Sequence, residues 1–202
     1  METLMTNIVA QCIAWNATRY DRVLNLDLAL SLLAEETDEL FAADNIIDRL
    51  DAIGDINFVA IGVMWKAGLS EEEILELLGA FDDGILHDDI STCDTEMLHF
   101  SFAGFVHEVA QDSTLDTTEK VIAFNAAILA IWHSAFVLRN IGLQQEYFNI
   151  VKAICDSNDT KEVKGKTDPS IKANIVKGNS FVPPTAALKQ IVANYELATV
   201  VH

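Results

Sequence analysis

Carboxylates at helical spacing are the residues of this sequence best suited to chemistry. Glu36 and Glu39 stand three residues apart among apolar residues of helical period, so they share one helix face, and Glu35 reaches the same cluster. After a polar break at residues 44–45, a second helical pattern carries acids at i, i+3 and i+7: Asp48, Asp51 and Asp55. If the two helices pack antiparallel, these carboxylates converge, which is unfavourable unless a cation neutralises them. Oxygen ligands of this kind suit Mg²⁺, with Mn²⁺ as the alternative.

A solvated acidic face is the alternative interpretation of these acids, because 31 Asp and Glu in 202 residues produce such spacings by chance. Asp55 argues against it. It opens the run 56–65, INFVAIGVMW, which is apolar on nearly every side and predicts a buried helix. A carboxylate that leads into such a run is at least partly buried, and buried charges are normally paired or bound to metal.

The composition excludes several partners and compartments. The net charge of −18 argues against binding to a nucleic-acid backbone, which needs a basic face. The three cysteines are odd in number and show no Cys-x-x-Cys spacing, so we expect core residues in a reducing cytosol. The N-terminus lacks a signal-peptide pattern, and no apolar run approaches the roughly 18 residues of a membrane span. The sequence therefore predicts a cytoplasmic protein with no membrane contact.

Apolar periodicity and capping residues predict a chain built of α-helices. We expect helices over residues 4–17, 71–81, 95–111, 117–140, 143–156 and 185–200. Two more are expected between the first two of these: one that follows Asn25 and carries Glu36 and Glu39, and one that runs from the polar break at residues 44–45 to about Lys66. The expected caps are Asn25, Asn45 or Asp44, a capping box over residues 70–73, and a left-handed Gly68.

The remaining segments complete the predicted organisation. Residues 157–184 are polar, contain Lys and Gly and lack periodicity, which predicts a long mobile loop. Residues 82–142 form a helical part without an assigned role. We expect one all-α domain over residues 1–202, with no convincing strand.

Three segments carry a family resemblance. Residues 33–40, LAEETDEL, look like an EE-x-x-EL motif, and residues 51–59, DAIGDINFV, resemble a second motif in which acids precede an apolar helix. Residues 157–161, SNDTK, and 176–184, VKGNSFVPP, are similar to the ending of a subgroup frequent in bacteriophages. In this order the segments resemble the all-α nucleoside triphosphate pyrophosphohydrolases, the superfamily of MazG, the dimeric dUTPases and phosphoribosyl-ATP pyrophosphohydrolase.

The resemblance implies a MazG-like helical bundle, a homodimer or homotetramer, whose long C-terminal loop closes on the site. It implies Mg²⁺-dependent hydrolysis of a (deoxy)nucleoside triphosphate to the monophosphate and pyrophosphate, acting on the dNTP pool, in the host cytoplasm if the chain is phage-encoded. The implied metal ligands are Glu36, Glu39, Asp51 and Asp55, and the implied catalytic acids are Glu35, Glu36 and Glu39. Glu35 would be a ligand or the base that takes a proton from water. The family usually has Glu at position 52, where this chain has Ala52, so Asp51 is the expected replacement.

Substrate contacts are implied at both ends of the chain. Lys161 and Lys177 would contact phosphates, and Asn158 would bind sugar or phosphate. Trp15 and Asn16 would stack on and hydrogen-bond the base, although a core position suits Trp15 equally well. The preferred base is not readable, because selectivity depends on a few contacts from several segments. The sequence is compatible with purine substrates such as dGTP and with pyrimidine substrates such as dCTP or dUTP.

Two other functions compete with hydrolysis. The net charge alone supports a non-catalytic acidic interaction protein, such as a DNA mimic that occupies a basic partner. The second alternative is a protein of the same fold that binds a nucleotide without cleaving it. No P-loop, G-x-S-x-G or G-x-G-x-x-G motif is present, so P-loop NTPases, serine hydrolases and Rossmann enzymes have no support.

Overall fold

Helices make up most of the computed structural model, which describes residues 2–81, 117–163 and 175–200. The described helices are α1 Glu2–Arg19, α2 Leu26–Ala42, α3 Ile46–Lys66, α4 Glu71–Phe81, α5 Thr117–Asn140, α6 Tyr147–Asp159 and α7 Thr185–Val200. A 3-10 turn, Gln144–Glu146, precedes α6, and two short antiparallel strands, β1 Glu162–Val163 and β2 Ile175–Val176, pair between α6 and α7. The all-α prediction is confirmed. The predicted helix over 95–111 lies outside the described residues.

Short polar side chains start the two helices that carry the acids. The Asn25 side chain accepts a hydrogen bond of 2.8 Å from the Leu28 N–H, and the Asn45 side chain accepts one of 3.0 Å from the Asp48 N–H. Each bond satisfies a backbone donor that the first helical turn leaves without a partner. Both predicted N-caps are confirmed.

The turn between α3 and α4 also follows the sequence. Gly68 has a φ of 115°, a left-handed conformation that residues with a Cβ rarely adopt. Ser70 Oγ accepts from the Glu73 N–H at 3.2 Å, and Glu73 Oε2 accepts from the Ser70 N–H at 2.6 Å. These reciprocal bonds form the predicted capping box.

Three predictions about the chain's course were wrong. α1 continues to Arg19, beyond the predicted end at residue 17. α6 covers Tyr147–Asp159 instead of the predicted 143–156. The start of the predicted helix is a 3-10 turn, Gln144–Glu146, and the last turn of α6 takes up residues predicted as loop. Strands β1 and β2 stand in a segment predicted to have none. Two residues are too few to produce an alternating pattern, so the sequence held no signal for this ribbon.

α3 is the central element of the core. It packs against α1, α2, α4, α5, α6 and α7, and most of its side chains from Leu50 to Trp65 are buried. A polar junction joins it to two neighbours: Asn57 Nδ2 donates to Ser134 Oγ on α5 at 3.1 Å, and the Tyr147 hydroxyl on α6 donates to Asn57 Oδ1. Because buried polar groups must find partners, this junction fixes how the three helices meet.

Helix α5 is long and apolar enough to cross a membrane by length and composition. An 18-residue window within its stretch Thr118–Asn140 has a mean hydropathy of 2.0, so the expectation that no segment would reach the length and apolarity of a membrane span was wrong. In the fold, 44% of that window is buried, α5 packs against α3, and its residues Ala127, Ile131 and Leu138 are fully buried. This packing favours a core helix of a soluble protein.

Candidate functional site

A cavity of about 120 Å³ lies between α1, α2 and α3, and the end of α6 closes one side of it. α3 contributes side chains at successive turns of a single face: Asp55, Phe58, Val59, Gly62, Val63 and Lys66. α2 and the residues before it contribute Val23, Leu24, Asn25, Leu28, Ala29, Leu32 and Glu36. The remaining wall is Trp15, Asn16 and Tyr20 from the first helix and the residue after it, and Asn158, Lys161 and Ile175 from the C-terminal part.

The cavity has a polar end and an apolar end. Eleven residues, or about 16 Å of helix, separate Asp55 from Lys66 on α3. α2 and α3 follow one another through a short connection and pack together, so Glu36 faces the Asp55 end and Asn25 faces the Lys66 end. This is the antiparallel arrangement on which the sequence argument depended.

Asp55 carries the most perturbed carboxyl group of the polar end. Its pKa is raised from 3.8 to about 6, mainly by burial and to a smaller extent by the nearby carboxylates of Asp51 and Glu39. The Lys161 ammonium group and the Asn158 side chain lower it. Asp55 is therefore close to half protonated just below neutral pH, and a cation beside it would favour its charged form.

Asp51 lies one turn before Asp55 and shares its environment. Burial raises the pKa of Asp51, Lys161 and Lys177 lower it, and Glu39 and Asp48 raise it again. Acidic residues of α2 and α3 and two lysines of the C-terminal part thus act on one another electrostatically. Lys177 itself is exposed, with its Nζ 5.1 Å from the centre of the Phe181 ring.

The donor chemistry of this end suits Mg²⁺, but the side chains do not form a finished metal centre. Carboxylate oxygens are the ligands that Mg²⁺ prefers. Within the described ranges, however, no three side chains of His, Cys, Asp or Glu lie close enough together to hold a metal ion. Asp55 is half-buried, whereas Glu39 is exposed, so the acids are neighbours without being a cluster.

Asn158 is a buried donor that the protein does not fully satisfy. Only 3% of the residue is exposed, and among the described residues Nδ2 makes no hydrogen bond of good geometry, although it lies close enough to the Asp55 carboxyl to lower its pKa as a weak donor. The main-chain carbonyl oxygen of Asn158 accepts a hydrogen bond of 2.9 Å from Trp15 Nε1. An unsatisfied buried donor costs free energy, so a ligand that accepts from Nδ2 would be bound favourably.

Trp15 and Asn16 form part of the cavity wall, and each is held by the protein. The Arg19 guanidinium lies 4.2 Å from the centre of the Trp15 ring, and the Phe58 ring meets Trp15 edge-on with 5.1 Å between centroids. Asn16 Nδ2 donates to the Cys12 carbonyl at 2.9 Å. It also occupies the space beside Gly62, where a Cβ would stand only 2.8 Å from it. Gly62 therefore allows α1 to reach the cavity.

The structure brings six of the predicted site residues to one cavity and leaves four outside its lining. The lining includes Trp15, Asn16, Glu36, Asp55, Asn158 and Lys161. Asp51 and Glu39 stand beside it and influence Asp55 electrostatically, and Lys177 influences Asp51. Glu35 is exposed on α2.

Lys66 is the residue that the sequence reasoning missed. It lines the cavity, and burial lowers its pKa from 10.5 to about 8. Its Nζ lies 3.8 Å from the centre of the Tyr20 ring. The available signal was its position eleven residues after Asp55, since eleven residues make close to three helical turns and return to the same face.

Comparison with protein-family models, with curated proteins and with solved structures finds no match to this chain.

Proposed function

We propose that this protein is a Mg²⁺-dependent nucleotide pyrophosphohydrolase that cleaves a (deoxy)nucleoside triphosphate to the monophosphate and pyrophosphate. The proposal starts from the resemblance of the three sequence segments. The observation that carries it is that Glu36, Asp55, Asn158 and Lys161, which come from three distant segments, line one cavity. Such convergence would be a coincidence if each segment had only a structural role.

Different side chains of the cavity would bind different parts of the substrate. Lys161 would attract the triphosphate as a point charge, since it already acts on Asp51 and Asp55. Asn158 Nδ2 would donate to a phosphate or sugar oxygen. The apolar wall contributed by Leu28, Phe58 and other residues of α2 and α3 would exclude water from the base and orient the nucleotide.

A magnesium site would need small rearrangements of side chains. Glu36 and Glu39 of α2 would turn toward Asp51 and Asp55 of α3, which is feasible because glutamate side chains are long and have several rotamers. A bound Mg²⁺ would screen the triphosphate and lower the pKa of the attacking water. Glu35, which is exposed on α2, would complete the ligand set or take the proton from that water only if its side chain turned inward.

The MazG-like bundle and the homodimer or homotetramer are parts of the same proposal. Exposed large apolar side chains support self-association: Phe41 of α2 is 72% exposed, and Leu129 and Phe136 of α5 are 68% and 55% exposed. Light scattering after size-exclusion chromatography measures the mass directly. Such an enzyme would work in the cytoplasm, and in that of the host if the chain is phage-encoded.

Nucleotide binding without cleavage is the second candidate. It is favoured by the absence, among the described residues, of three acids close enough to hold a metal ion. In that case the buried donor Asn158 and the lysines would still bind phosphates, but no activated water would form. Tight binding of nucleotides without release of pyrophosphate would identify this function.

The deciding experiment measures pyrophosphate and monophosphate release from the common NTPs and dNTPs, with Mg²⁺ and with EDTA. We expect release only with Mg²⁺, and a fall of at least about 100-fold in Glu36→Gln, because even the outer partners of metal sites are worth about 10- to 100-fold. Asp38→Asn, an exposed acid of the same helix, is the matched control and should retain activity. Equal activity in Glu36→Gln and the control would contradict the proposal.

A further inference from the structure

The end of the cavity farthest from Asp55 is mostly apolar, with Lys66, Asn25 and the hydroxyl of Tyr20 as its polar groups. Tyr20, Leu24, Leu28 and Val63 form its walls, and Lys66 brings an ammonium group into it. Lys66 stands three helical turns beyond Asp55, so about 16 Å separate the two ends along α3. A base would occupy this apolar end if the phosphates lie at the Asp55 and Lys161 end, as the proposed function requires.

The Lys66 amine is poorly compensated by the protein. Its Nζ lies over the face of the Tyr20 ring, 3.8 Å from the ring centre. In the described part of the chain no carboxylate forms a salt bridge with it; the salt bridge found there joins Lys152 and Asp156. Asn25, a polar side chain that also lines the cavity, uses its oxygen to cap α2. A buried charge that the protein leaves with so little compensation normally has a partner supplied by something else.

An ammonium group is a donor and never an acceptor, which limits the partner's chemistry. Guanine O6 and thymine O4 are acceptors, whereas the amino groups at the corresponding positions of adenine and cytosine are donors. A donor that faces a donor leaves both groups without partners in an apolar site, and such mismatches discriminate strongly between substrates.

We propose that Lys66 is a specificity-determining residue that donates from Nζ to a keto oxygen of the bound base. The site would then favour nucleotides with a keto group at purine position 6 or pyrimidine position 4 over those with an amino group there. This inference uses the orientation given by the proposed function, but base preference in binding is measurable whether or not the nucleotide is cleaved.

Two pairs of nucleotides compare a keto group with an amino group at the relevant position: dUTP against dCTP, and dITP against dATP. The adjoining ring nitrogen also differs within each pair, so the change of the ratio in the Lys66 variants is what tests the contact to the keto oxygen. The probes are their α,β-imido analogues, which cannot be cleaved between the α- and β-phosphates, titrated with Mg²⁺ in a calorimeter against the full chain. We expect the keto member of each pair to bind about 10- to 100-fold more tightly, which corresponds to one hydrogen bond to a charged group. In Lys66→Met the ratio should fall to within about threefold, through weaker binding of the keto member.

Controls separate this inference from folding and from the proposed function. Lys66→Gln is the second variant, to be used if Lys66→Met fails to fold. Its amide group can donate or accept, so the ratio of keto to amino binding should fall in this variant too. Lys189→Met, at an exposed position of α7, should keep the wild-type ratio. A wild-type ratio within about threefold in both pairs, or an undiminished ratio in the Lys66 variants, overturns the inference even if the enzyme hydrolyses dNTPs. A keto preference without hydrolysis supports the inference and contradicts the proposed function, and no binding of any analogue contradicts both.

Discussion

Replacing Asp55 by Asn should stabilise the protein at neutral pH while removing its proposed activity. Asp55 is half-buried at one end of the cavity, where desolvation raises the pKa of its carboxyl from 3.8 to about 6. At pH 8 the folded protein therefore holds an ionised carboxylate in a place that favours the neutral form. Asn has nearly the same shape and carries no charge, so the substitution removes this cost.

The magnitude and its pH window follow from linkage. The folded-state pKa is raised, so protonation of Asp55 stabilises the fold fully below about pH 4, and this stabilisation is lost as the pH rises through about 6. The difference between about 6 and 3.8 corresponds to about 3 kcal/mol, at about 1.36 kcal/mol for each pKa unit. Asp55→Asn should recover most of this amount at pH 8 and almost none of it at pH 4. For a chain of this size, 3 kcal/mol raises Tm by roughly 6–12 °C.

The assay is thermal unfolding of both proteins between pH 4 and pH 8 with EDTA, supported by urea titration at the two extremes. Asp38→Asn, an exposed acid of α2, controls for the loss of one negative charge and should change stability by less than about 0.5 kcal/mol. A variant no more stable than wild type at pH 8 would refute the reasoning. So would a gain of the same size at pH 4 and pH 8, since burial of the ionised carboxylate would then not be its cause.

Three further predictions use the same measurements. Millimolar Mg²⁺ should raise the Tm of the wild type and not that of Asp55→Asn, and EDTA should reverse the rise; an equal rise in both would place the ion elsewhere. Lys66→Met should stabilise the protein by about 3 kcal/mol at pH 7, because the Lys66 pKa is lowered from 10.5 to about 8. That gain should shrink from pH 8 to pH 10, where the wild type regains stability as the buried amine loses its proton, and a pH-independent gain would contradict it. Gly54→Ala should destabilise the protein by about 1–3 kcal/mol, because a methyl group there overlaps Ile154. Gly79→Ala on α4 is the control: its methyl group meets only ordinary contacts, so it should stabilise the protein slightly. Equal effects of the two substitutions would contradict this account.

Much of the fold follows from local signals in the sequence. The N-caps Asn25 and Asn45 and the left-handed Gly68 were predictable because each acts on backbone groups within a few residues of itself. The burial of Asp55 was also predictable, since the apolar run after it leaves α3 no solvent-exposed face over most of its length. The predicted convergence of Glu36 with Asp55 required in addition that α2 and α3 pack antiparallel, which their short connection favours.

The features that the sequence did not indicate depend on tertiary contacts. Asn158 was placed in a loop because residues 157–159 are all polar, yet α6 continues through it. Its carbonyl takes the Trp15 indole N–H, and the neighbouring Ser157 hydroxyl donates to the Val182 carbonyl at 2.8 Å. Such partners come from distant segments, and no local pattern reveals them. Lys66 was missed for a related reason, since a lysine at a helix C-terminus has an ordinary explanation in the helix dipole.

Asp55 and Lys66 are opposite charges on one face of one helix, and each has a pKa moved toward neutrality by burial. They do not neutralise each other, because across about 16 Å, even at an effective dielectric constant near 20, two charges attract by only about 1 kcal/mol. A bound cation would therefore stabilise the Asp55 carboxylate at one end of the cavity, and a hydrogen-bond acceptor would stabilise the Lys66 ammonium group at the other. A nucleotide that carries its metal ion on the phosphates and a keto oxygen on the base supplies both at once. This complementarity is the physical link between the proposed reaction and the proposed base preference, and it is broken separately at each end by Asp55→Asn and Lys66→Met.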